Sequence, residues 1–293
     1  MGWRPAFVAR VRERAGEVLL LRVAGPSARA KRARIHGTPG PRWFGPERPV
    51  RVVHADASMY AGGLAALLLQ SLHPVAMAAV AGHSGFRGDP WGRLQRTSTF
   101  LAVTTFGTDA DAREAVARVR QVHAAISGTT GDGIPYRASD PHLLTWVHIA
   151  ETACFLRAHQ RYGRRPLDRA GQDGYVADMA QVAQRLGAED PPETLAGLAA
   201  RIAAYRPELR ATPASRDTAR FLLARPPLPV PAQIPYVFLA GAAVGLLPPW
   251  ARAALGLPWW RRALLFLAGP GGRVVLAAIR WVVPPPPVPP PSG

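Results

Sequence analysis

Residues 64–81 read LAALLLQSLHPVAMAAVA, an almost wholly apolar run that follows the pair Gly62-Gly63. The run is longer than an ordinary strand, and its alanine and leucine content favours helix over sheet. Pro74 lacks an N–H donor and crowds the preceding turn, so we expect it to kink this helix or to begin a new one. The run therefore predicts a buried helical core.

Helical periodicity extends outward from this run along most of the chain. No alternating strand pattern bounded by hairpin turns appears, and no repeat of fixed period is found. We expect an all-α fold in a single domain over residues 1–283. The other predicted helical segments are 6–24, a helix from about Gly92, 109–126, 141–162, 171–187, 193–205, 214–224, 233–247, 250–256, 259–268 and 272–283.

Several segments break this helical pattern. Residues 25–50 are rich in glycine, proline and arginine, and they predict an extended connector with little core of its own. Turn-rich loops are expected at 82–91 and 129–141. The sequence PPPPVPPPSG at 284–293 predicts a disordered, solvated polyproline II tail.

The composition is typical of a globular protein in a reducing compartment. Of the 293 residues, 48% are hydrophobic and 19% are charged, which is too apolar for a disordered chain. Cys154 is the single cysteine, so intramolecular disulfides and cysteine-rich zinc or iron–sulfur sites are excluded. The first residues lack a signal-peptide core, and no stretch of about 18 residues is free of charge, proline and glycine breaks. We therefore expect a cytoplasmic protein without a transmembrane span.

The formal net charge of +17 is concentrated at the two ends of the chain. Residues 1–53 and 201–293 each carry +9, whereas residues 54–200 carry −1. No nucleic-acid-binding motif with neighbouring aromatic residues accompanies the arginines, so we expect no nucleic-acid partner. Docking of the basic ends on another polyanion or on an anionic lipid surface stays open. The sequence gives no indication of the oligomeric state.

The motifs of several large enzyme classes are missing. The sequence has no GxxxxGK[ST] phosphate loop, no Rossmann glycine fingerprint, no HExxH zinc motif and no GxSxG nucleophile motif. The glycine-rich TTGDG at 129–133 follows no strand, so it is not expected to cradle phosphate. The candidate residues must therefore be sought in local groups on helices.

The first such group lies at the start of the helix expected from Gly92. Arg93, Arg96, Thr97 and Phe100 are spaced i, i+3, i+4 and i+7, so they share one helical face. Two guanidinium groups and a hydroxyl on this face could bind carboxylates such as haem propionates, or polarise a small bound anion. A solvated arginine face is the ordinary alternative.

The second and third groups are histidines within helical segments. His123 lies on the apolar stripe of the helix 109–126, either as a satisfied core histidine or as an axial haem ligand. His148 and Glu151 are spaced i, i+3 and could form a hydrogen-bonded pair, structural or catalytic. Cys154 is interpreted as inert packing, with a thiolate haem ligand as the alternative.

Taken in order, these segments resemble a known family. The Gly62-Gly63 pair leads into LLLQSLHPVAMAAVAGHSGF, and DPWGRLQRT and VHAAISGTTGDGIPYRASDPHLLTWVH follow. They resemble the catalytic domain of MpaB-type oxygenases and latex-clearing rubber oxygenases, closely over residues 55–165 and loosely through LLPPWAR at 246–252. The resemblance implies an all-α fold with a globin-like helical core that holds one haem b.

The resemblance also implies roles for individual residues. His123 matches the proximal haem histidine, and Arg93, Arg96 and Thr97 match the distal-side motif. In the rubber oxygenases the second basic residue of that motif is a lysine able to coordinate iron, whereas a guanidinium offers no lone pair. We therefore expect no protein ligand at the sixth iron position, Arg93 near the propionates, Arg96 and Thr97 as catalytic groups, and His148 beside the haem.

The resemblance implies a haem-dependent oxidoreductase. We expect a haem b-dependent oxygenase or oxidase that acts with dioxygen on a small or medium apolar substrate. The acidic base of rubber cleavage has no clear counterpart before Arg93, so polyisoprene is not expected as the substrate. A non-catalytic haem protein, acting as sensor or carrier, is the alternative.

Overall fold

Helix dominates the computed structural model, which describes residues 3–83, 89–224, 226, 228–257 and 262–283. Helices make up 74% and strands 2%, which confirms the prediction of an all-α fold. The helices before residue 126 are α1 (Trp3–Ala24), α2 (Ala28–Gly37), α3 (Pro49–His54), α4 (Ser58–Gln70), α5 (Pro74–His83), α6 (Pro90–Phe106) and α7 (Asp109–Ala124). The later helices are α8 (Pro141–Tyr162), α9 (Arg169–Leu186), α10 (Leu195–Tyr205), α11 (Pro213–Ala224), α12 (Val230–Leu246), α13 (Pro249–Ala254) and α14 (Arg262–Val282).

Pro74 divides the apolar run, as predicted. Helix α4 ends at Gln70, and α5 begins with Pro74 in its first position, where a missing N–H costs no helical hydrogen bond. The two helices are bent by 106°. Among the described residues no single helix combines the length and apolarity needed to cross a membrane, and Ser58–Gln70 with Pro74–Gly82 meets these criteria only as a bent pair.

The core is centred on the packing of α4 against α8. At one end Gly62 lies so close to α8 that a Cβ atom there would stand 2.8 Å from Phe155 Cδ1 and 3.1 Å from Phe155 Cα. At the other end the buried Trp146 donates from Nε1 to the carbonyl oxygen of Gln70 at 3.2 Å. An early residue of α4 thus meets a late residue of α8, and the reverse, so the two helices run antiparallel.

The C-terminal helices cover this core. Helix α14 packs on α12, where a Cβ atom at Gly272 would stand 2.7 Å from Ala242 Cβ, and α12 packs on α4. Arg280 of α14 forms a bidentate ion pair with Asp56, at 2.7 Å and 3.0 Å, and also donates to the carbonyl oxygen of Tyr162. Burial raises the pKa of Asp56, but the hydrogen bonds from Arg280 and from residue 58 outweigh it and leave the pKa below its usual value.

The starts of the central helices are fixed by side-chain caps. A carboxylate or hydroxyl accepts a backbone N–H of the first turn, which satisfies one of the donors that a helix start leaves open. The capping residues of α6, α7, α8, α9 and α10 are Asp89, Thr108, Asp140, Asp168 and Thr194. Helix α8 begins and ends where the sequence predicts, at Pro141 and Tyr162.

The prediction of an extended connector over 25–50 is wrong for part of that segment. Helix α2 occupies residues 28–37, because alanine and arginine are good helix formers and Ala28 and Ile35 are buried on one side. Within the remainder, Phe44 is 2% exposed, so the segment also contributes to the core. Helix α2 could not be predicted from its arginine-rich composition, because its apolar face consists of only a few residues.

The absence of strands predicted from the sequence also needs correction. Strands β1 (Ser127–Thr129) and β2 (Pro135–Arg137) pair antiparallel within the loop region after α7, where no strand is expected. Three residues per strand are too few to show an alternating pattern.

The sequence predicts two separate segments at 259–268 and 272–283, but a single helix, α14, runs from Arg262 to Val282 with Pro270 inside it, and residues 259–261 lie outside the described part of the chain. The close packing of Gly272 against α12 accounts for the persistence of the helix despite the hydrogen bond that proline removes. The predicted tail at 284–293 lies outside the described residues.

Candidate functional site

The arginine-rich face of α6 is divided between the interior and the solvent. Arg93 is partly buried, and burial, with Arg96 beside it, lowers its pKa. Arg96 and Thr97 are exposed, and Arg96 pairs with Asp89 at 3.3 Å, so it lies against the cap of its own helix. Phe100 packs against the core. Arg93 and Phe100 are therefore the members of the predicted group that the fold turns inward, and Arg93 is the charged one.

His123 lies near the end of α7, at the same end of a helical hairpin as Arg93. Helices α6 and α7 are joined at Gly107 and pack against each other. At 1.5 Å per residue, Arg93 lies about 21 Å before Gly107 and His123 about 24 Å after it, so the two are nearly level. Nδ1 of His123 is buried and has no hydrogen-bond partner among the described residues. Burial lowers the pKa of this ring and favours the neutral form.

His148 is a second buried imidazole, on α8. Its Nε2 has no hydrogen-bond partner in the described part of the chain, and its Nδ1 lies 3.5 Å from Thr152 Oγ1, one turn later. Burial lowers the pKa of His148 to about 4, so the ring is neutral at physiological pH. No hydrogen bond between His148 and Glu151 is present among the described residues, and the polar contact of the ring is with Thr152.

Glu151 instead lies near the phenol of Tyr175 and the thiol of Cys154. Burial raises the pKa of Glu151 to about 7, although its side chain keeps intermediate accessibility. The pKa of Tyr175 is raised first by burial and second by the charge of Glu151. Burial also raises the pKa of Cys154 to about 12, which keeps the sulfur protonated. A buried, protonated thiol is the state expected for inert packing.

Sequence analysis missed a buried chain of polar side chains beside Glu151. His54 Nδ1 lies 2.8 Å from Thr105 Oγ1 and its Nε2 lies 3.3 Å from the Tyr175 hydroxyl, which links α3, α6 and α9. Burial lowers the pKa of His54 to about 3. The partners are 51 and 121 residues away along the chain, so no local spacing could have revealed them.

Buried polar atoms without partners recur on the three helices that carry the candidate residues. Such atoms are uncommon in folded proteins and indicate water or a bound group. Thr99 Oγ1 on α6, His123 Nδ1 on α7 and His148 Nε2 on α8 are of this kind. His159 Nδ1, nearer the end of α8, is also unpartnered, and the other such atoms in the described residues lie on different helices, at His36, Ser58 and Gln181.

Comparison with known proteins identifies the domain. The family described as "ER-bound oxygenase mpaB/B'/Rubber oxygenase, catalytic domain" matches residues 50–281. The chain belongs to this family. The mpaB/rubber oxygenase domain therefore extends from α3 to α14 and includes Arg93, His123 and His148, which confirms the resemblance inferred from the sequence motifs. The family comprises oxygenase catalytic domains, and oxygenases are oxidoreductases.

Individual relatives add little about the activity of this family member. An uncharacterized protein of Mycobacterium bovis and one of Mycobacterium tuberculosis are each 34% identical to the chain over 99 residues, which is 33% of this chain and 36% of each relative. The chain thus matches about a third of the length of these curated relatives. No solved structure matches the chain.

Proposed function

We propose that this protein is a haem b-dependent oxygenase that acts with dioxygen on a small or medium apolar molecule. The observation that carries the proposal is two histidines with buried, unpartnered nitrogen atoms, His123 Nδ1 and His148 Nε2, inside a domain of an oxygenase family. Burial lowers the pKa of both rings, and the neutral ring is the form in which histidine binds a metal.

The residues of the chain fit a haem in a defined division of roles. His123 would bind the iron, His148 would lie beside the macrocycle, and Arg93 would bind a propionate carboxylate through charge-assisted hydrogen bonds. A bound haem b supplies the redox-active iron with which dioxygen is activated. We propose the globin-like arrangement of the core as the frame that holds these residues.

Glu151 is suited to hold and move a proton. A carboxyl group with a pKa of about 7 is present in both protonation states near neutral pH, which is the condition for efficient proton transfer. Intermediate accessibility together with a strongly raised pKa is what a side chain on the wall of an internal recess would show. We propose Glu151 as the acid–base group of the site.

Arg96 and Thr97 are assigned to catalysis by the family pattern. Both are exposed on α6, so this role requires the substrate to reach the outer face of that helix. Arg96 must also leave Asp89, and an exposed ion pair of this kind is worth only about 0–1 kcal/mol.

The proposal is tested by haem reconstitution followed by absorption spectroscopy. The wild-type protein is expected to give a Soret band at one haem per chain. His123→Gly should abolish retention of haem through gel filtration, and added imidazole should restore the iron-ligand spectrum because it supplies the missing donor. Absence of a Soret band in the reconstituted wild-type protein would refute haem binding.

His36→Ala is the matched control. His36 has an unpartnered buried Nδ1 and a pKa lowered to about 4, chiefly by burial, but it lies on α2, outside the matched domain. This variant should retain haem as the wild type does. Loss of haem in His148→Ala with full retention in His123→Gly would move the iron ligand to His148.

Oxygen consumption separates catalysis from simple binding. With an electron donor and a panel of apolar compounds, the reconstituted protein should consume oxygen only in the presence of a substrate, and Glu151→Gln should reduce the rate at neutral pH. A haem spectrum without turnover would favour a sensor or carrier.

A further inference from the structure

A second group of histidine and carboxylate side chains lies apart from the proposed haem residues. His73 follows α4, His142 lies in the first turn of α8, and Glu208 lies in a 3₁₀ turn (Arg206–Glu208) after α10. One ligand atom from each residue lies within 4.8 Å of the others. His73 is buried, whereas the side chains of His142 and Glu208 are 49% and 42% exposed. Three segments that are distant in the sequence thus direct potential metal ligands to one point at the surface.

Tyr205 holds the ring of His142 in place. The Tyr205 hydroxyl lies 2.8 Å from the carbonyl oxygen of His142 and 3.1 Å from Nδ1 of the same residue. Tyr205 also stacks on this ring with centroids 4.5 Å apart, so Nδ1 has a fixed partner and Nε2 is the nitrogen directed at the other two side chains. Donation from the second nitrogen to a fixed partner is the usual orientation of a metal-binding histidine.

Nε2 of His142 faces acceptor atoms. It lies 3.0 Å and 2.9 Å from the two carboxylate oxygens of Glu208, and the nearer of these oxygens is 3.2 Å from Nε2 of His73. The ligand atoms that a metal ion would hold therefore already converge on one point, and a divalent cation there would also offset the carboxylate charge.

The distances suit a small tetrahedral ion. With zinc–nitrogen and zinc–oxygen bonds of about 2.0–2.1 Å, neighbouring ligand atoms in a tetrahedral site are separated by about 3.3 Å. The separations of 2.9 Å and 3.2 Å are slightly shorter, and the half-exposed side chains of His142 and Glu208 can adjust by a few tenths of an ångström. If Nε2 of His73 binds a metal ion, the neutral ring carries its proton on Nδ1. Nδ1 then no longer accepts the Ala76 N–H, which is a long contact of 3.4 Å.

We propose that His73, His142 and Glu208 form a binding site for a divalent zinc-class metal ion that joins the starts of α5 and α8 to the 3₁₀ turn. Two imidazoles and one carboxylate favour zinc and neighbouring transition metals over magnesium or calcium, which prefer all-oxygen ligand sets. Three protein ligands leave a fourth position for water. The site involves none of the proposed haem residues, so it stands independently of the oxygenase proposal.

Calorimetric titration of the untagged, EDTA-treated protein with zinc tests the site. The wild-type protein should bind one equivalent, and Glu208→Gln and His142→Asn should each weaken binding at least tenfold. Asp132→Asn is the matched control. Asp132 is an exposed acid that pairs with Arg210, close to His73, so its substitution removes the same charge as Glu208→Gln without removing a ligand. This control should bind zinc as the wild type does.

A second measurement needs no variant. Zinc should protect the half-exposed His142 from modification by diethyl pyrocarbonate, read out by peptide mass spectrometry, and should raise the midpoint of thermal unfolding in proportion to the logarithm of its concentration. Absence of zinc uptake, uptake that Glu208→Gln leaves unchanged, or unprotected His142 would each overturn the proposal. Direct hydrogen bonds from the two imidazoles to Glu208 would then account for the geometry.

Discussion

Replacing the two adjacent glycines of α4 by alanine should have opposite effects on stability. Gly62 is buried against α8, where a Cβ atom would stand 2.8 Å from Phe155 Cδ1 and 3.1 Å from both Phe155 Cα and Ala158 Cβ. Gly63 is partly exposed, and a Cβ atom there would meet only Phe155 Cε1, at 3.6 Å. The first substitution forces two packed helices apart, and the second fits within an ordinary contact.

The expected magnitudes follow from two opposing contributions. An alanine in a helix interior is favoured over glycine by about 0.8–1 kcal/mol, and this gain applies at both positions. Overpacking a core costs about 1–3 kcal/mol and applies only at Gly62, where one of the crowded atoms belongs to the backbone and cannot rotate away. Gly63→Ala should therefore stabilise the protein by about 0.5–1 kcal/mol, and Gly62→Ala should destabilise it by about 1–2 kcal/mol.

Urea unfolding followed by circular dichroism at a helix-sensitive wavelength measures both effects on one scale. The difference in free energy of unfolding between the two variants should be about 1.5–3 kcal/mol, which for a chain of this size corresponds to roughly 3–6 °C in the thermal midpoint. Equal stability of the two variants, or a more stable Gly62→Ala protein, would show that α4 and α8 do not approach as closely as described.

Three further predictions concern buried charge. Glu151 has a folded pKa of about 7 against 4.5 unfolded, so stability should fall by about 3 kcal/mol as the pH rises from 4.5 to 7, and Glu151→Gln should flatten this dependence in urea titrations. For His148, with a folded pKa of about 4 against 6.5, stability should be lost by a similar amount as the pH falls from 6.5 to 4; an unchanged acid limb in His148→Asn would contradict this. Arg280→Met should cost about 3–5 kcal/mol because Asp56 is left buried without its partner, and adding Asp56→Asn should recover much of the loss; simple additivity in this double-mutant cycle would argue against the ion pair.

Helices with strong local signals could be predicted from the sequence. The bounds of α8 were recovered at both ends because Asp140-Pro141 and Gly163 mark its limits, and the division at Pro74 follows from the geometry of proline itself. Helix α2 was missed because its apolar face depends on few residues, and Pro270 suggested a break that packing on α12 overrides. Tertiary contacts decided the outcome in both cases.

The candidate site was accessible to sequence reasoning only in part. The motifs predict roles for Arg93 and His123, and helical spacing places Arg93 on one face with Arg96, but burial separates these two arginines in a way that spacing does not record. The link from His54 to Tyr175 spans 121 residues, and the contact of His73 with Glu208 spans 135. Such pairs arise from the arrangement of whole helices, so they become visible only once the chain is folded.

The ion pair between Arg280 and Asp56 has a consequence for how the protein is made. Its partners are 224 residues apart, and at a translation rate of about 5–20 residues per second the carboxylate emerges from the ribosome at least ten seconds before its guanidinium. Until α12 has emerged, the face of α4 that it covers is open to chaperones or to other nascent chains. A product that ends before α12 would retain that exposure permanently, so quality control should recognise it, whereas the finished chain closes over its own first-formed helices.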